Sequence, residues 1–238
     1  MKYYVLDIET SGLKPGFHEI TEISILRCAD MVQRVWLLNI KYPKRFSKQA
    51  LMVTGQDVND ILKRKKYIEN AIPEINGFLE EDGDYADGRV IIAHNGAFDR
   101  NQIEHNWDLY GQTFPANYWI DSKEMARKYI KRHLKLGKRQ SVALSKVLEL
   151  FKINAEPGAH SAEVDVRNTF RLWKYLEKRG MSNIEFTKLS PKLINDDMRK
   201  LHKKADINEQ DAADVWKDLE EQMQDDRPPW EEDFDGGE

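Results

Sequence analysis

Three apolar runs open the chain, at Tyr3 to Ile8, Glu19 to Cys28 and Val32 to Ile40, with short polar breaks between them. Gly12, Pro15 and Gly16 interrupt the first gap and Ala29-Asp30 the second, so the pattern predicts an antiparallel meander of three strands. From about Asp57 the period lengthens. Val58, Ile61 and Leu62, then Ile68, Ala71, Ile72, Ile75, Phe78 and Leu79 recur at helical spacing, and acidic, glycine-bearing Glu80 to Gly88 reads as a loop. Val90 to Ala93 is wholly apolar, as a strand covered on both faces is, and a helix is predicted from Asp99 to Tyr110. Tyr118 to Ile120 reads as a further strand, followed by helical patterns at Ser122 to Ile130, Ser141 to Phe151 and Glu163 to Leu176. Strands first, then strands alternating with helices, make an α/β domain with a mixed five-stranded sheet over 1–179. Beyond it the sequence predicts a polar linker over 180–205, an acidic helix over 206–224 and an acidic, disordered tail over 225–238.

Composition narrows the class. A chain of 238 residues with 40% hydrophobic positions buries a full core without a metal or disulfide staple. Its one cysteine, Cys28, forbids an intramolecular disulfide and points to a reducing compartment. Lys2-Tyr3-Tyr4-Val5-Leu6 is strand-like and not a charged-then-apolar leader, and no window approaches the ~18 apolar residues of a membrane span. The expectation is a cytoplasmic protein without a membrane partner.

The formal net charge of −4 conceals an asymmetry. Residues 206–238 hold 14 acidic and 2 basic side chains, a net of −12, leaving 35 basic and 27 acidic, or +8, for residues 1–205. A basic body attracts polyanions, of which nucleic acid is the commonest, although surplus lysine also serves solubility.

Candidate chemistry is concentrated in three places. Asp7-Ile8-Glu9 ends the first strand, and side-chain alternation puts both carboxylates on one face of a strand whose earlier residues are apolar. Like charges on a buried strand repel each other, and a divalent cation is the usual remedy. Thr10-Ser11-Gly12-Leu13 follows as a turn with backbone N–H groups available to a ligand. The second place, Ala93-His94-Asn95-Gly96-Ala97-Phe98-Asp99, is a strand-to-helix junction of the kind at which α/β sheets bind ligands, although Asp99 equally reads as a helix N-cap. The third is His160-Ser161-Ala162-Glu163-Val164-Asp165, with His160 on a loop approach and Asp165 in the first turns of a helix. A swinging histidine beside a fixed carboxylate suits a general base next to a metal ligand; a surface histidine at a helix start has the same appearance.

Together the three motifs resemble the DnaQ-like, or DEDDh, 3′-to-5′ exonuclease family in order and spacing. Asp7-Ile8-Glu9-Thr10-Ser11-Gly12-Leu13 is similar to its first motif; His94, Asn95, Phe98 and Asp99 to its second; His160 and Asp165 to its third. Ile120-Asp121-Ser122 with Met125-Ala126-Arg127 resembles the family's Asp-Thr and Ala-Arg helix, Ser standing for Thr, and Val142-Ala143-Leu144 with Val147-Leu148 its leucine-bearing helix. The resemblance spans roughly residues 1 to 178. It implies an RNase H-like core in which Asp7, Glu9, Asp99 and Asp165 hold two Mg²⁺ or Mn²⁺ ions, ~3.5–4 Å apart in such sites, and His160 takes the proton of the attacking water. Thr10, Ser11, Gly12, Leu13, His94, Asn95 and Phe98 are then substrate contacts, and the substrate is single-stranded nucleic acid, DNA in preference to RNA. An exoribonuclease and a non-catalytic nucleic-acid-binding relative are the alternatives.

Two charged segments remain. Lys123 to Lys146 carries nine basic residues, among them Lys131, Arg132, Lys138 and Arg139, and Glu124 is its one acid. We read it as a contact for backbone phosphates, and Lys63-Arg64-Lys65-Lys66 as a solvated cluster. Asp225 to Asp235, with two prolines, Trp230 and Phe234, reads either as a solubility tail or as a hook for a polymerase or another replication or repair protein.

Overall fold

The computed structural model describes residues 1–83, 88–134, 141–158, 160–181 and 187–188. The chain divides into units Met1–Leu193 and Ile194–Glu238, and every described residue belongs to the first. The acidic helix and tail predicted for 206–238, like most of the 180–205 linker, lie outside the described residues.

The predicted meander is present as β1 (Lys2–Thr10), β2 (Ile20–Arg27) and β3 (Val32–Leu37), antiparallel throughout. β4 (Arg89–Ala93) runs parallel to β1, and β5 (Tyr118–Asp121) parallel to β4. To the five expected strands the structure adds β6, only Thr187–Lys188, antiparallel to β5, giving the order β3-β2-β1-β4-β5-β6. β1 therefore lies inside the sheet, and its alternation feeds two apolar layers. Tyr4, Leu6 and Ile8 face a core with Ile75, Phe78 and Trp107, which come from α3 (Ile68–Glu80) and α4 (Gly96–Leu109). Val5 faces the other core, shared with Met125 of α5 (Ser122–Tyr129), Leu148 of α6 (Leu144–Leu150) and Leu172 of α7 (Ala162–Glu177). Asp7 and Glu9 continue the Val5 row, so the alternation that builds the core also points both carboxylates toward α7.

Four local features depart from the sequence expectation. α1 (Lys48–Thr54) has no counterpart in the sequence reading, since none of its side chains is fully buried and only Ala50 and Leu51 pack partly against the small cluster of Ile40, Phe46 and Ile61; α2 (Val58–Leu62), ahead of α3, carries the helical spacing that the sequence shows. α4 begins at Gly96, not Asp99: Asn95 adopts a left-handed conformation, φ 78°, and occupies the N-cap position, which places Asp99 within the first turn. α5 continues into a π-helical turn over Ile130–Leu134. Arg64, placed in a solvated cluster by the sequence, is half-buried and donates to the backbone oxygens of Thr21 (2.6 Å) and Leu38 (3.3 Å).

Candidate metal and catalytic centre

Carboxylates converge where β1 ends. Oxygens of Asp7, Glu9 and Asp165 all lie within 4.8 Å of one another, a spacing compatible with shared cation ligation. Asp99 approaches from α4, buried, with its carboxylate accepting the backbone N–H of Ile8. Burial pushes the Asp7 carboxyl well above the ordinary carboxylate range, and Asp99, Glu9, Asp165 and Glu22 add to that by repulsion. Burial likewise raises Glu9 to about 8, reinforced by Asp165, Glu22 and Asp99. Asp99 is raised to about 8 by burial, against the opposing pull of its own and Ile8's N–H groups. Asp165 is raised by burial and eased by the His160 N–H, which donates to its Oδ2 at 3.1 Å. The strongest charged influences on Asp7 and Glu9 are thus other carboxylates, and oxygen donors of this kind fit a hard divalent cation.

His160 is exposed and adopts φ 67°, a conformation disfavoured for a residue with a Cβ. Its backbone N–H is bound to Asp165 while the residue is exposed. Asp165 itself lies in the first turn of α7, where the helix dipole favours a negative charge.

The proposed substrate contacts divide into two groups. Thr10 and Ser11 are buried and employed internally: Thr10 Oγ1 donates to the Gly12 oxygen (2.7 Å), and Ser11 Oγ accepts from Glu19 N–H (2.8 Å). Gly12 admits no side chain, because an added Cβ would meet the His18 ring at 2.4 Å. Leu13, at the tip of this turn, is 65% exposed, and its carbonyl accepts from Gln102 at 3.3 Å. His94 is also engaged within the fold, bridging Ser122 Oγ and the Val142 oxygen at 2.9 Å each. Since a carbonyl only accepts, Nε2 carries the proton and Nδ1 accepts from Ser122, and burial lowers the ring's pKa. Asn95 is exposed, with Lys123 donating to its side chain at 3.1 Å, and Phe98 packs partly into the α3–α4 core. Lys131 and Arg132 are exposed on the π-helical turn, whereas Lys138 and Arg139 lie outside the described residues.

Two residues near the centre escaped the sequence reading in their present role. Glu22 of β2 pairs in register with Glu9 and is buried, an acid inside an apolar strand. Asp121, known from the sequence only as part of a motif, accepts from Lys123 N–H (2.8 Å) as the cap of α5 and from Asn95 N–H (3.2 Å). A charged residue within an apolar run was the available signal for Glu22.

The exonuclease family model of RNase T type matches residues 4–173. The chain is 31% identical over 194 residues to a PolC-type DNA polymerase III of Thermotoga petrophila, and 25% over 206 residues to that of Streptococcus thermophilus. These matches cover 79% and 83% of the chain but 13% of each relative's length. Among solved structures, the nuclease domain of 3'hExo, a DEDDh family member bound to rAMP, superposes with a TM-score of 0.62 at 14% identity, covering 79% of this chain and 97% of that one. E. coli exonuclease I in complex with a dT13 oligonucleotide gives 0.62 at 16%, covering 75% and 41%. Among the described residues no helix is long and apolar enough to cross a membrane.

Proposed function

The chain belongs to the exonuclease family of DnaQ-like, RNase H-like fold, and from that premise we propose that it removes nucleoside 5′-monophosphates from single-stranded or frayed DNA 3′ ends. The observation that carries the proposal is the meeting of Asp7, Glu9 and Asp165 oxygens within 4.8 Å, with buried Asp99 adjoining them. Asp7, Glu9, Asp99 and Asp165 are the residues to hold two divalent cations, Mg²⁺ or Mn²⁺. Bound there, the ions supply charge neutralisation for the phosphodiester and acidify water.

The chain's own groups do the rest. His160 accepts the proton that the attacking water releases as its oxygen bonds to phosphorus and the P–O3′ bond breaks, and the departing O3′ takes a proton from solvent to become the new 3′ hydroxyl. The Asp165–His160 backbone hydrogen bond sets the approach of that loop to the centre. Exposed Leu13 meets the terminal nucleotide, and exposed Lys128, Lys131 and Arg132 meet the phosphates behind it. DNA is favoured over RNA because the sequence relatives are DNA polymerases, which also makes a polymerase the partner of first choice. The test uses single-stranded DNA and RNA oligonucleotides labelled at either end, with Mg²⁺, Mn²⁺ or EDTA. Mononucleotide release from 3′-labelled DNA that EDTA abolishes is the expected result; release from 5′ ends, or undiminished activity in EDTA, overturns it.

A further inference from the structure

We propose that Glu22 is a positioning residue that clamps the start of α7 to the sheet and so holds Asp165 against Asp7 and Glu9. The inference rests on the reading of those three carboxylates as the metal centre. Ser161 occupies the N-cap position of α7, and its side chain makes no capping hydrogen bond to the helix it precedes. A helix start without a cap leaves backbone N–H groups without intrahelical partners. Here the missing acceptor comes from another strand: Glu22 Oε1 accepts the Glu163 N–H at 3.1 Å, and the Ser161 hydroxyl also donates to the Glu22 carboxylate.

The location of Glu22 gives the clamp its consequence. The β1–β2 register places it directly opposite Glu9, on the same sheet face, and it is 6% exposed. Two positions along α7 from Glu163 stands Asp165. Burying a second acid beside Glu9 and Asp7 adds repulsion to a centre already dominated by it, so a carboxylate serves poorly here as mere packing. Its hydrogen bonds to the helix start account for its presence. β3 supplies a second tie to the same turn, since Gln33 Nε2 donates to the Glu163 oxygen at 2.8 Å and Gln33 Oε1 accepts from Arg167 at 2.9 Å. The Glu22 carboxylate is already engaged by the Glu163 N–H and the Ser161 hydroxyl. It is assigned to alignment and not to ligation.

The test compares the full chain with its Glu22→Gln and Glu22→Ala variants. Measurements are kcat and KM on a single-stranded DNA oligonucleotide, Mn²⁺ stoichiometry by calorimetry, and amide hydrogen exchange over 161–165 without metal. An amide keeps the acceptor oxygen, so Glu22→Gln is expected to hold kcat within about threefold, the parent's Mn²⁺ stoichiometry and its exchange pattern. Glu22→Ala is expected to lower kcat by about 10–100-fold at nearly constant KM and to speed exchange at Glu163 about tenfold, as misplaced ligands and a lost hydrogen bond imply. Parent-like kcat and exchange in Glu22→Ala overturns the proposal. So does a Glu22→Gln variant that is inactive and binds one fewer Mn²⁺, which makes Glu22 a ligand. If Glu22→Ala does not fold, Glu22→Gln alone decides by the same readouts. A parent protein inactive with every metal refutes the functional reading, and the exchange comparison then still shows whether Glu22 clamps the helix.

Discussion

The two ends of the central strand β1 treat buried charge in opposite ways. Near its start, Arg89 is 1% exposed and fully partnered: its guanidinium pairs with Asp82 at 2.9 Å and donates to the backbone oxygens of Pro115 (2.9 Å) and Gly83. Tyr4 hydroxyl donates to the same Asp82, and burial holds its pKa above the ordinary tyrosine value. At the other end Asp7, Glu9, Asp99, Asp165 and Glu22 press on one another. A buried ion pair that is satisfied internally serves the fold alone. Acids that confront acids leave the fold with an imbalance that a bound cation would remove, and that difference marks one end of the sheet as scaffold and the other as the proposed active centre.

The comparison breaks most sharply when one charge is neutralised at each end. Asp7→Asn is expected to abolish 3′ hydrolysis while the metal-free protein melts no lower than the parent, because a repelling charge has gone. Detectable turnover in the gel assay, or a lower melting temperature, contradicts that. His160→Ala removes the proton acceptor without touching the carboxylates, so kcat should fall by roughly 10²–10⁴-fold with oligonucleotide affinity retained. If affinity falls while kcat survives, the imidazole binds substrate instead. Arg89→Met takes from half-buried Asp82 its nearest cation, leaving Lys2 at 3.8 Å, and strips the Pro115 oxygen of its donor, so it should cost about 1–3 kcal/mol in urea unfolding, with kcat of the folded fraction kept. An unchanged unfolding midpoint would remove the contrast between the two ends.

Smaller effects sharpen it. Glu9 is held at about 8 against an ordinary 4.5, so the stability its protonated form confers is complete below pH 4.5 and lost as pH rises through about 8. In EDTA, Glu9→Gln and the parent should therefore melt alike at pH 4 and diverge as pH rises, the variant melting higher at pH 9. A gap that widens toward acid instead would invert the sign. Least in size, Lys131→Ala should weaken single-strand binding at low salt and lessen the slope of log K against log salt by roughly 0.7. An unaltered slope excludes that side chain from phosphate contact.

Much of the centre was legible before any fold was known. Asp7 and Glu9 share a face because strand alternation requires it, and Asp165 was assigned to the start of a helix by the periodicity of α7. Glu22 was not legible in its role. Its register with Glu9 passes a long turn and an irregularity between Glu9 and Thr10, so counting along the hairpin does not pair the two acids. His94 and Ser11, read as substrate contacts in sequence, have internal partners 28 and 8 residues away. α1 escaped because none of its side chains is fully buried, only Ala50 and Leu51 being partly covered; the Ser47 cap and left-handed Gly55 delimit it.

The sequence by itself determined the strand and helix types, the two-layer alternation along β1 and the order of the acidic motifs. All of these follow from periodicities of two and 3.6 residues, which any short window carries. Only the tertiary structure decided which charges are answered by the protein and which are left facing one another. That depends on side chains as far apart in sequence as Glu22 and Glu163, or Asp7 and Asp165. Their meeting is set by register and helix packing, and no local pattern encodes it.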